Sequence, residues 1–238
     1  MFVSVITATY HRSAFLPALL NCYLNQTYSH SQMEWLLLDD SDTEEQEFTQ
    51  ELIHDFVKEH EERGLHIRYI RSNTKQPMGY KLNQITSLCR GDLIVVMDDD
   101  DYYPPTRVTT VVNAFHQHPT YQLAGCSKVY MHFQEEDAIY VAGPYHDRHA
   151  LHCTMAYRAS YLLDHAYDDK EVCAVEKVFT NNFTEPMIQL DTVKTILHTV
   201  HPGNTYKKKR EVSGLRLTDY TRDVWLKISA PYKAWASK

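Results

Sequence analysis

The chain has 238 residues, of which 43% are hydrophobic and 23% are charged, so it can bury a core and is not a disordered chain. Its apolar stretches are too short to cross a bilayer and no secretory signal is visible, which predicts a cytoplasmic protein without a transmembrane segment. The five cysteines form no CxxC pair and support neither a disulfide framework nor a zinc knuckle.

The formal charge of −7 is unevenly distributed along the chain. Residues 205–238 carry nine Lys and Arg against three Asp and Glu, so the first 204 residues carry −13. This acidic body argues against a nucleic-acid partner, which would need a basic face to meet its phosphates. The basic end is typical of a solvated terminus, with an anionic surface as the alternative partner.

Strand and helix patterns alternate through the first half of the chain and become shorter and less regular in the second half. The first half has predicted strands at 2–7, 34–39, 66–71 and 92–97, separated by a helix capped by Ser13 and by helices at 43–64 and 80–89. The second half has predicted strands at 121–134, 138–142 and 194–200, and helices at 158–163 and 170–179. The fold class is therefore α/β, with a mostly parallel sheet flanked by helices and a smaller sheet and helix region after it.

Four consecutive carboxylates, at residues 98–101, directly follow the predicted strand at 92–97. Ligands of open parallel sheets bind beyond the carboxyl ends of the strands, and hard cations such as Mg²⁺ or Mn²⁺ take carboxylate ligands together with substrate phosphates. The position favours a cation site, and a solvated acidic turn is the alternative.

Five short motifs occur in a characteristic order: VSVITATYHR at 3–12, LDDS at 38–41, YKLN at 80–83, GD at 91–92 and the acidic run at 98–101. In this combination the chain resembles the family-2 glycosyltransferases, which have a Rossmann-like GT-A fold, over residues 1–204. Ala8 and His11 stand where the family usually has proline and asparagine, and the turn at 39–41 lacks the usual glycine.

The resemblance implies a nucleotide-diphospho-sugar donor held across the strand ends. The implied donor-binding residues are Thr7, Thr9, Arg12, Asp39, Lys81, Asn83, Asp98 and Asp99. Among them, Asp39 would accept a hydrogen bond from the base, which favours a uridine-type donor. A Mn²⁺ or Mg²⁺ ion would be held by Asp98, Asp100 and His201, with His198 as the alternative histidine.

The resemblance also implies an inverting transfer to a hydroxyl of a glycan acceptor, which needs one general base. The family places an acidic residue near the start of a helix in the second half, and Glu176 fits this position, with Glu171 as the fallback. His146, Asp147, His149 and His152 lie in a stretch that usually faces the acceptor or the diphosphate.

We expect one glycosyltransferase domain over residues 1–204, with a nucleotide-sugar half at 1–101 and an acceptor and catalytic half at 102–204. Residues 205–238 would form a basic loop, including the run at 207–210, and a C-terminal amphipathic helix with Trp225, Ile228, Tyr232 and Trp235. This helix is more typical of one docked on its own domain than of a peripheral membrane anchor.

Two other classes of protein share parts of this pattern. A sugar-1-phosphate nucleotidyltransferase would have a glycine-rich loop after the first strand, and residues 7–12 contain no glycine. A degenerate acidic run or a missing base would favour a non-catalytic nucleotide- or carbohydrate-binding module. In this chain the acidic run is intact and a candidate base is present.

Overall fold

The computed structural model describes residues 1–204 and 214–228, and the side chains of the last helix as far as Trp225. A seven-stranded sheet forms the centre, in the order β3-β2-β1-β4-β8-β5-β9. Its strands are β1 (Val3–Thr9), β2 (Met33–Asp39), β3 (Ile67–Arg71), β4 (Leu93–Val96), β5 (Leu123–Gly125), β8 (Ala156–Arg158) and β9 (Met187–Gln189). The first four pair in parallel, whereas β8 runs antiparallel to both of its neighbours.

A second sheet has four strands, in the order β10-β6-β7-β11. Its strands are β6 (Val129–Phe133), β7 (Ala138–Ala142), β10 (His198–Val200) and β11 (Arg216–Leu217). The α-helices in the described residues are α1 (Leu16–Leu24), α2 (Thr43–Glu59), α3 (Met78–Thr86), α4 (Arg107–Gln117), α5 (Glu176–Phe179) and α6 (Arg222–Ile228).

Alternate residues of the central strands enter two different apolar clusters, because successive side chains point to opposite faces of a sheet. In β1, Val3 and Val5 join one cluster with residues of α1 and α4, while Ile6 joins the other with residues of α3. Both faces of the sheet are therefore covered by helices, as the sequence predicted.

Residues 214–225 contact the body of the protein through the second sheet. Strand β11 pairs with β7, and Trp225 is fully buried with its ring centroid 4.5 Å from that of Tyr130. Trp225 is thus unavailable to a membrane surface. The predicted stripe residues Tyr232 and Trp235, the side chain of Ile228 and the basic run at 207–210 lie outside the described residues.

Several element predictions need correction. The predicted strand at 121–134 is two strands, β5 and β6, because the chain leaves one sheet for the other between them. Helix α4 was not predicted, the predicted helix at 170–179 is α-helical only in α5, and Ser13 begins a 3₁₀ turn before α1 rather than capping that helix. Phe48 of α2, expected in the core, is 54% exposed.

Arg107 is a fully buried cation that ties β4 to the segment before β8. Its Nη2 donates to the carbonyls of Val96, Thr154 and Met155, at 3.2, 2.9 and 2.9 Å. We expect Arg107→Ala to lower the free energy of unfolding by about 3–5 kcal/mol, because three backbone carbonyls each lose a hydrogen bond from the guanidinium and a cavity opens.

Urea denaturation of Arg107→Ala beside Arg148→Ala checks this prediction. Arg148 is an exposed arginine with one bond, to the carbonyl of Thr184, and its loss should cost no more than about 0.5 kcal/mol. Equal midpoints for the two variants would contradict the role given to Arg107.

Candidate active site

A cleft of about 840 Å³ opens at the carboxyl ends of the central parallel strands. The residues that line it come from both halves of the chain and include Arg12, Lys81, Asp98, Asp99, Asp100, His152 and Glu176. Its lining comes from residues after β1 and β4, from the start of α3 and the residues before it, from the 3₁₀ turn at His152–Thr154 and from the segment before α5. The cleft thus brings together residues that are far apart in sequence.

Asp98 and Asp99 lie in the cleft with different partners. The backbone N–H of Asp98 donates to the Tyr103 hydroxyl at 2.6 Å, and its carboxylate Oδ1 lies 3.7 Å from Nδ1 of His152. Asp99 accepts a hydrogen bond from the Thr9 hydroxyl at 2.6 Å. Burial, and then the adjacent charge of Asp100, raise the pKa of Asp99 to about 7.

Asp100 has the most donors of the four acidic residues. Its Oδ2 accepts from Arg12 Nη1 at 2.6 Å and Asn204 Nδ2 at 3.0 Å, and lies 3.0 Å from His201 Nε2. Burial alone would raise the pKa of Asp100, but the bond to His201 and the charge of Arg12 outweigh it and lower this pKa to about 2. Asp100 is therefore an anion at neutral pH.

Asp101 turns away from the cleft into the protein, where it is 2% exposed. Its Oδ1 accepts the Thr199 N–H at 2.7 Å and lies 2.8 Å from His198 Nδ1. The thiol sulfur of Cys153 lies 3.9 Å from the same imidazole nitrogen. One ligand atom from each of Asp101, Cys153 and His198 falls within 4.8 Å of the others.

Arg12 joins the acidic run to the loop that follows β10. In addition to Asp100, it donates through Nη2 to the carbonyl of Gly203 at 2.6 Å. His201 of the same loop packs on Phe15, with 4.8 Å between ring centroids. Arg12, Asp100 and His201, three of the expected site residues, are thus assembled at one point.

Four of the expected donor-binding residues, Thr7, Asp39, Asn83 and Thr9, do not line the cleft. The Thr7 hydroxyl is buried, where it donates to the Met97 carbonyl and accepts from Trp35 Nε1. Asp39 is 1% exposed. Its two carboxylate oxygens accept from Ser41 and from the Tyr69 hydroxyl, and are not presented to a ligand.

Asn83 is the third. Its side chain donates to the Tyr167 carbonyl and accepts the Tyr167 N–H, so it joins α3 to the segment before α5. Thr9 acts on the cleft through its bond to Asp99. Lys81 does line the cleft, but its ammonium group donates to Asp40 at 2.8 Å and to the Thr9 carbonyl at 3.2 Å.

Glu176 begins α5 and lines the cleft, with 8% of its surface exposed. Ala174, two residues earlier, has a φ of 52°, which is uncommon for a residue with a Cβ atom and gives the chain a sharp turn there. Glu171 does not line the cleft, and its carbonyl accepts the Gly79 N–H at 2.9 Å. Of the two candidate bases, Glu176 therefore lines the cleft together with the acidic run, and Glu171 does not.

Gly79 is where the first turn of α3 meets the segment before α5. A Cβ atom at this position would lie 1.8 Å from the carbonyl oxygen of Asp168. Only glycine allows this approach, because the contact is with backbone and no side chain can move away. The close packing fixes the start of the segment that leads to Glu176.

Other cleft residues were not singled out as site residues from the sequence. Tyr10 lines the cleft, and Lys75 Nζ lies 3.9 Å from the centre of its ring. Tyr145 also lines the cleft, and 56% of its surface is exposed. The position of Tyr10, directly after β1, is a signal that could have found it. Tyr145 also borders a second cavity of about 600 Å³, which His146 and Asp147 line as well.

The doubly wound sheet, the acidic run at the end of β4 and the cleft shared with the second half define the GT-A class of fold. The chain belongs to glycosyl transferase family 2, whose sequence model matches residues 4–162. None of the curated proteins compared with the chain is a significant match.

Solved structures of this class superpose on most of the chain at low sequence identity. S. aureus TarS 1–349 in complex with UDP-GlcNAc is 17% identical, with a TM-score of 0.64 over 86% of this chain and 60% of TarS 1–349. The mannosyltransferase PcManGT from Pyrobaculum calidifontis, in complex with GDP-Man and Mn²⁺, is 15% identical, with a TM-score of 0.62 over 85% and 58%. The chain spans about 60% of the length of these two structures.

Within residues 1–204 and 214–228, each helix is too short or too polar to cross a membrane.

Proposed function

We propose that the protein is a metal-dependent, inverting glycosyltransferase that moves a sugar from a UDP-linked donor to a hydroxyl of a glycan acceptor. The observation that carries the proposal is the shared cleft, which is lined both by Asp98, Asp99 and Asp100 and by the segment that ends at Glu176. Membership of glycosyl transferase family 2 supports the reaction class.

The donor set around Asp100 fits a hard divalent cation. Within the described residues every hydrogen bond to Asp100 uses Oδ2, so Oδ1 remains for an ion. Asp98 supplies a further carboxylate with 39% of its side chain exposed, and His201 an imidazole nitrogen. Oxygen and imidazole ligands suit Mn²⁺ and Mg²⁺. When bound, such an ion would neutralise the charge that develops on the departing nucleoside diphosphate.

Arg12 would act on the same diphosphate from the protein side. Its guanidinium lies 2.6 Å from Asp100 and 3.8 Å from Asp99, in a cleft where water is partly excluded. A fixed positive charge at this place stabilises the leaving group without reorganisation during the reaction. Lys81, whose ammonium group bonds to Asp40 and to the Thr9 carbonyl, would hold the cleft in shape.

Glu176 would take the proton from the acceptor hydroxyl. Inversion requires attack from the face opposite the leaving group, and Glu176, at the start of α5, lines the same cleft as the acidic run. The exposed ring of Tyr145 and the segment 172–174 would border the acceptor, since both line the cleft with Glu176. A non-catalytic binding module would not require a buried carboxylate at this place.

The uridine preference now rests on different support from that expected. Asp39 lies outside the cleft lining, so it no longer argues for a uracil base. Tyr10 offers an aromatic face in the cleft, on which either type of base can stack. The complexes of TarS with UDP and UDP-GlcNAc support a UDP-linked donor, whereas that of PcManGT with GDP-Man supports the alternative.

Calorimetric titration with UDP and GDP, in Mn²⁺ and again after chelation, tests the donor and the cation together. We expect UDP to bind more tightly than GDP and its affinity to fall at least about tenfold after chelation, a loss of about 1.4 kcal/mol. Unchanged affinity would contradict metal dependence and leave Arg12 as the main diphosphate contact. Tighter binding of GDP would contradict the uridine preference.

The reaction class has a separate test. Incubation with UDP-GlcNAc and other UDP-sugars should release UDP slowly by hydrolysis, because water can replace the acceptor. A nucleotidyltransferase, the competing class, would instead release pyrophosphate in a second incubation with UTP and a sugar 1-phosphate. Pyrophosphate without UDP would overturn the proposal.

A further inference from the structure

Asp101, His198 and Cys153 form a compact group that the proposed transfer does not use. They come from three elements: the residues after β4, the start of β10 and the 3₁₀ turn at His152–Thr154. His198 Nδ1 lies 2.8 Å from Asp101 Oδ1 and 3.9 Å from Cys153 Sγ, and all three ligand atoms lie within 4.8 Å of one another. We call this group the thiolate triad.

The spacing of the thiolate triad suits a tetrahedral ion. Ligands bound to Zn²⁺ at about 2.0–2.3 Å stand about 3.3–3.8 Å from one another. The measured separations bracket this range, so shifts of less than about 1 Å would place the three atoms around one ion. Asp101 is already oriented, because its Oδ1 accepts the Thr199 N–H at 2.7 Å.

The donor chemistry of the thiolate triad differs from that around Asp100. A thiolate, an imidazole nitrogen and a carboxylate oxygen form a set typical of Zn²⁺, whereas carboxylates with substrate phosphates suit Mn²⁺ or Mg²⁺. For nitrogen and sulfur ligands, the affinity of Zn²⁺ also exceeds that of Mn²⁺. The two sets therefore select different metals although their acidic residues are adjacent in sequence.

An ion can reach the thiolate triad from the cleft. Cys153 and His198 line the cleft wall, while Asp101 lies behind them and is 2% exposed. Three protein ligands leave one tetrahedral position, and it would face the cleft, as in zinc sites that keep a water molecule or a substrate as the fourth ligand.

We propose that the thiolate triad binds one Zn²⁺ ion, separately from the cation of the sugar donor. On binding, the Cys153 thiol gives up its proton to solvent, and His198 carries its single proton on Nε2 so that Nδ1 can ligate. The ion then joins the acidic run, β10 and the His152–Thr154 turn by direct bonds. This site goes beyond the proposed transfer and does not depend on it.

Titration of metal-free protein with Co²⁺, a spectroscopic substitute for Zn²⁺, tests the site. We expect a thiolate-to-cobalt charge-transfer band that saturates at one equivalent and is abolished by Zn²⁺ but not by equal Mn²⁺. The band should be lost in Cys153→Ser and kept in Cys173→Ser, the matched control, because Cys173 also lines the cleft but is not part of the triad.

His198→Asn and Asp101→Asn keep the cysteine and provide a second line of evidence. Each should lower the Zn²⁺ affinity, measured by competition with a chromogenic chelator, at least about tenfold. The inference is overturned if no band appears in the parent protein, if the band survives in Cys153→Ser, or if both further variants bind Zn²⁺ as the parent does. The metal-binding measurements contain neither sugar donor nor acceptor, so a negative result in them is distinct from failure of the proposed sugar transfer.

Discussion

Replacement of Glu176 by glutamine should lower the rate of sugar transfer about a hundred- to ten-thousand-fold, the usual cost of removing a general base. Glutamine keeps the size of the side chain and its hydrogen-bonding capacity but cannot accept the acceptor proton. Donor affinity should stay within about twofold, because the donor would bind at the acidic run and Glu176 would act on the acceptor. Initial-rate measurements at saturating donor, together with calorimetric titration of UDP, separate the two effects.

Glu171→Gln is the matched control for this experiment. Glu171 lies five residues earlier and outside the cleft lining, and its backbone carbonyl rather than its carboxylate bonds to Gly79. Its variant should retain most of the parent rate. An inactive Glu171 variant beside an active Glu176 variant would reverse the assignment of the base. Full activity in both would exclude Glu171 and Glu176 as the base, and Asp147, Asp168 and Asp169 would be the next carboxylates to test.

Replacement of Asp100 by asparagine should reduce turnover at least about a hundredfold and remove the dependence of UDP binding on Mn²⁺. The amide loses the negative charge that would hold the cation, while Arg12 keeps a partner in Asp99, 3.8 Å away. Stability should change little for the same reason. The measurements are the transfer rate and the UDP affinity with and without chelator.

Asp55→Asn, on the exposed face of α2 and outside the cleft, is the control for a general effect of lost charge. It should behave as the parent protein does. If the Asp100 variant still binds UDP more tightly in Mn²⁺ than after chelation, the cation is held elsewhere and the assignment of Asp100 is wrong.

The position of the acidic run could be predicted from the sequence, but the direction of each carboxylate could not. An apolar strand followed by polar residues marks the carboxyl edge of a parallel sheet, which is a local pattern. Asp98, Asp99 and Asp100 line the cleft, whereas Asp101 points inward to His198. That difference depends on a partner 97 residues later, which no local pattern contains.

The threonines of β1 show a second limit to what the sequence alone could predict. Both faces of this strand are buried, so its sequence lacks the alternation that would indicate which residues point to which side. Thr7 and Thr9 share the face of Val5, while Ala8 on the other face lines the cleft. The match to the family motif predicted Thr7 as a donor-binding residue. Because side chains alternate between the two faces of the strand, Ala8 lines the cleft and Thr7 does not.

The second half was less predictable because its elements are short and depend on distant pairing. Strand β8 has three residues and runs antiparallel between β4 and β5, which the order of the elements does not indicate. The position of Glu176 at the start of a helix could still be predicted, because the resemblance implied an acidic residue there, and its role as the base stays a prediction. The division of the chain into halves at residue 101, with an appendage from 205, stays a prediction.

The close approach at Gly79 also has a consequence for how the acceptor preference of such an enzyme can diversify. The backbone contact with Asp168 holds the start of the segment before α5, so variation there would disturb α3 and the central sheet. Val172 and Ala174, a few residues later, are exposed on the cleft wall and fixed by no comparable contact among the described residues. Under the proposed function, new acceptor preferences would therefore evolve at positions 172–174 while the scaffold that would hold the donor stays the same.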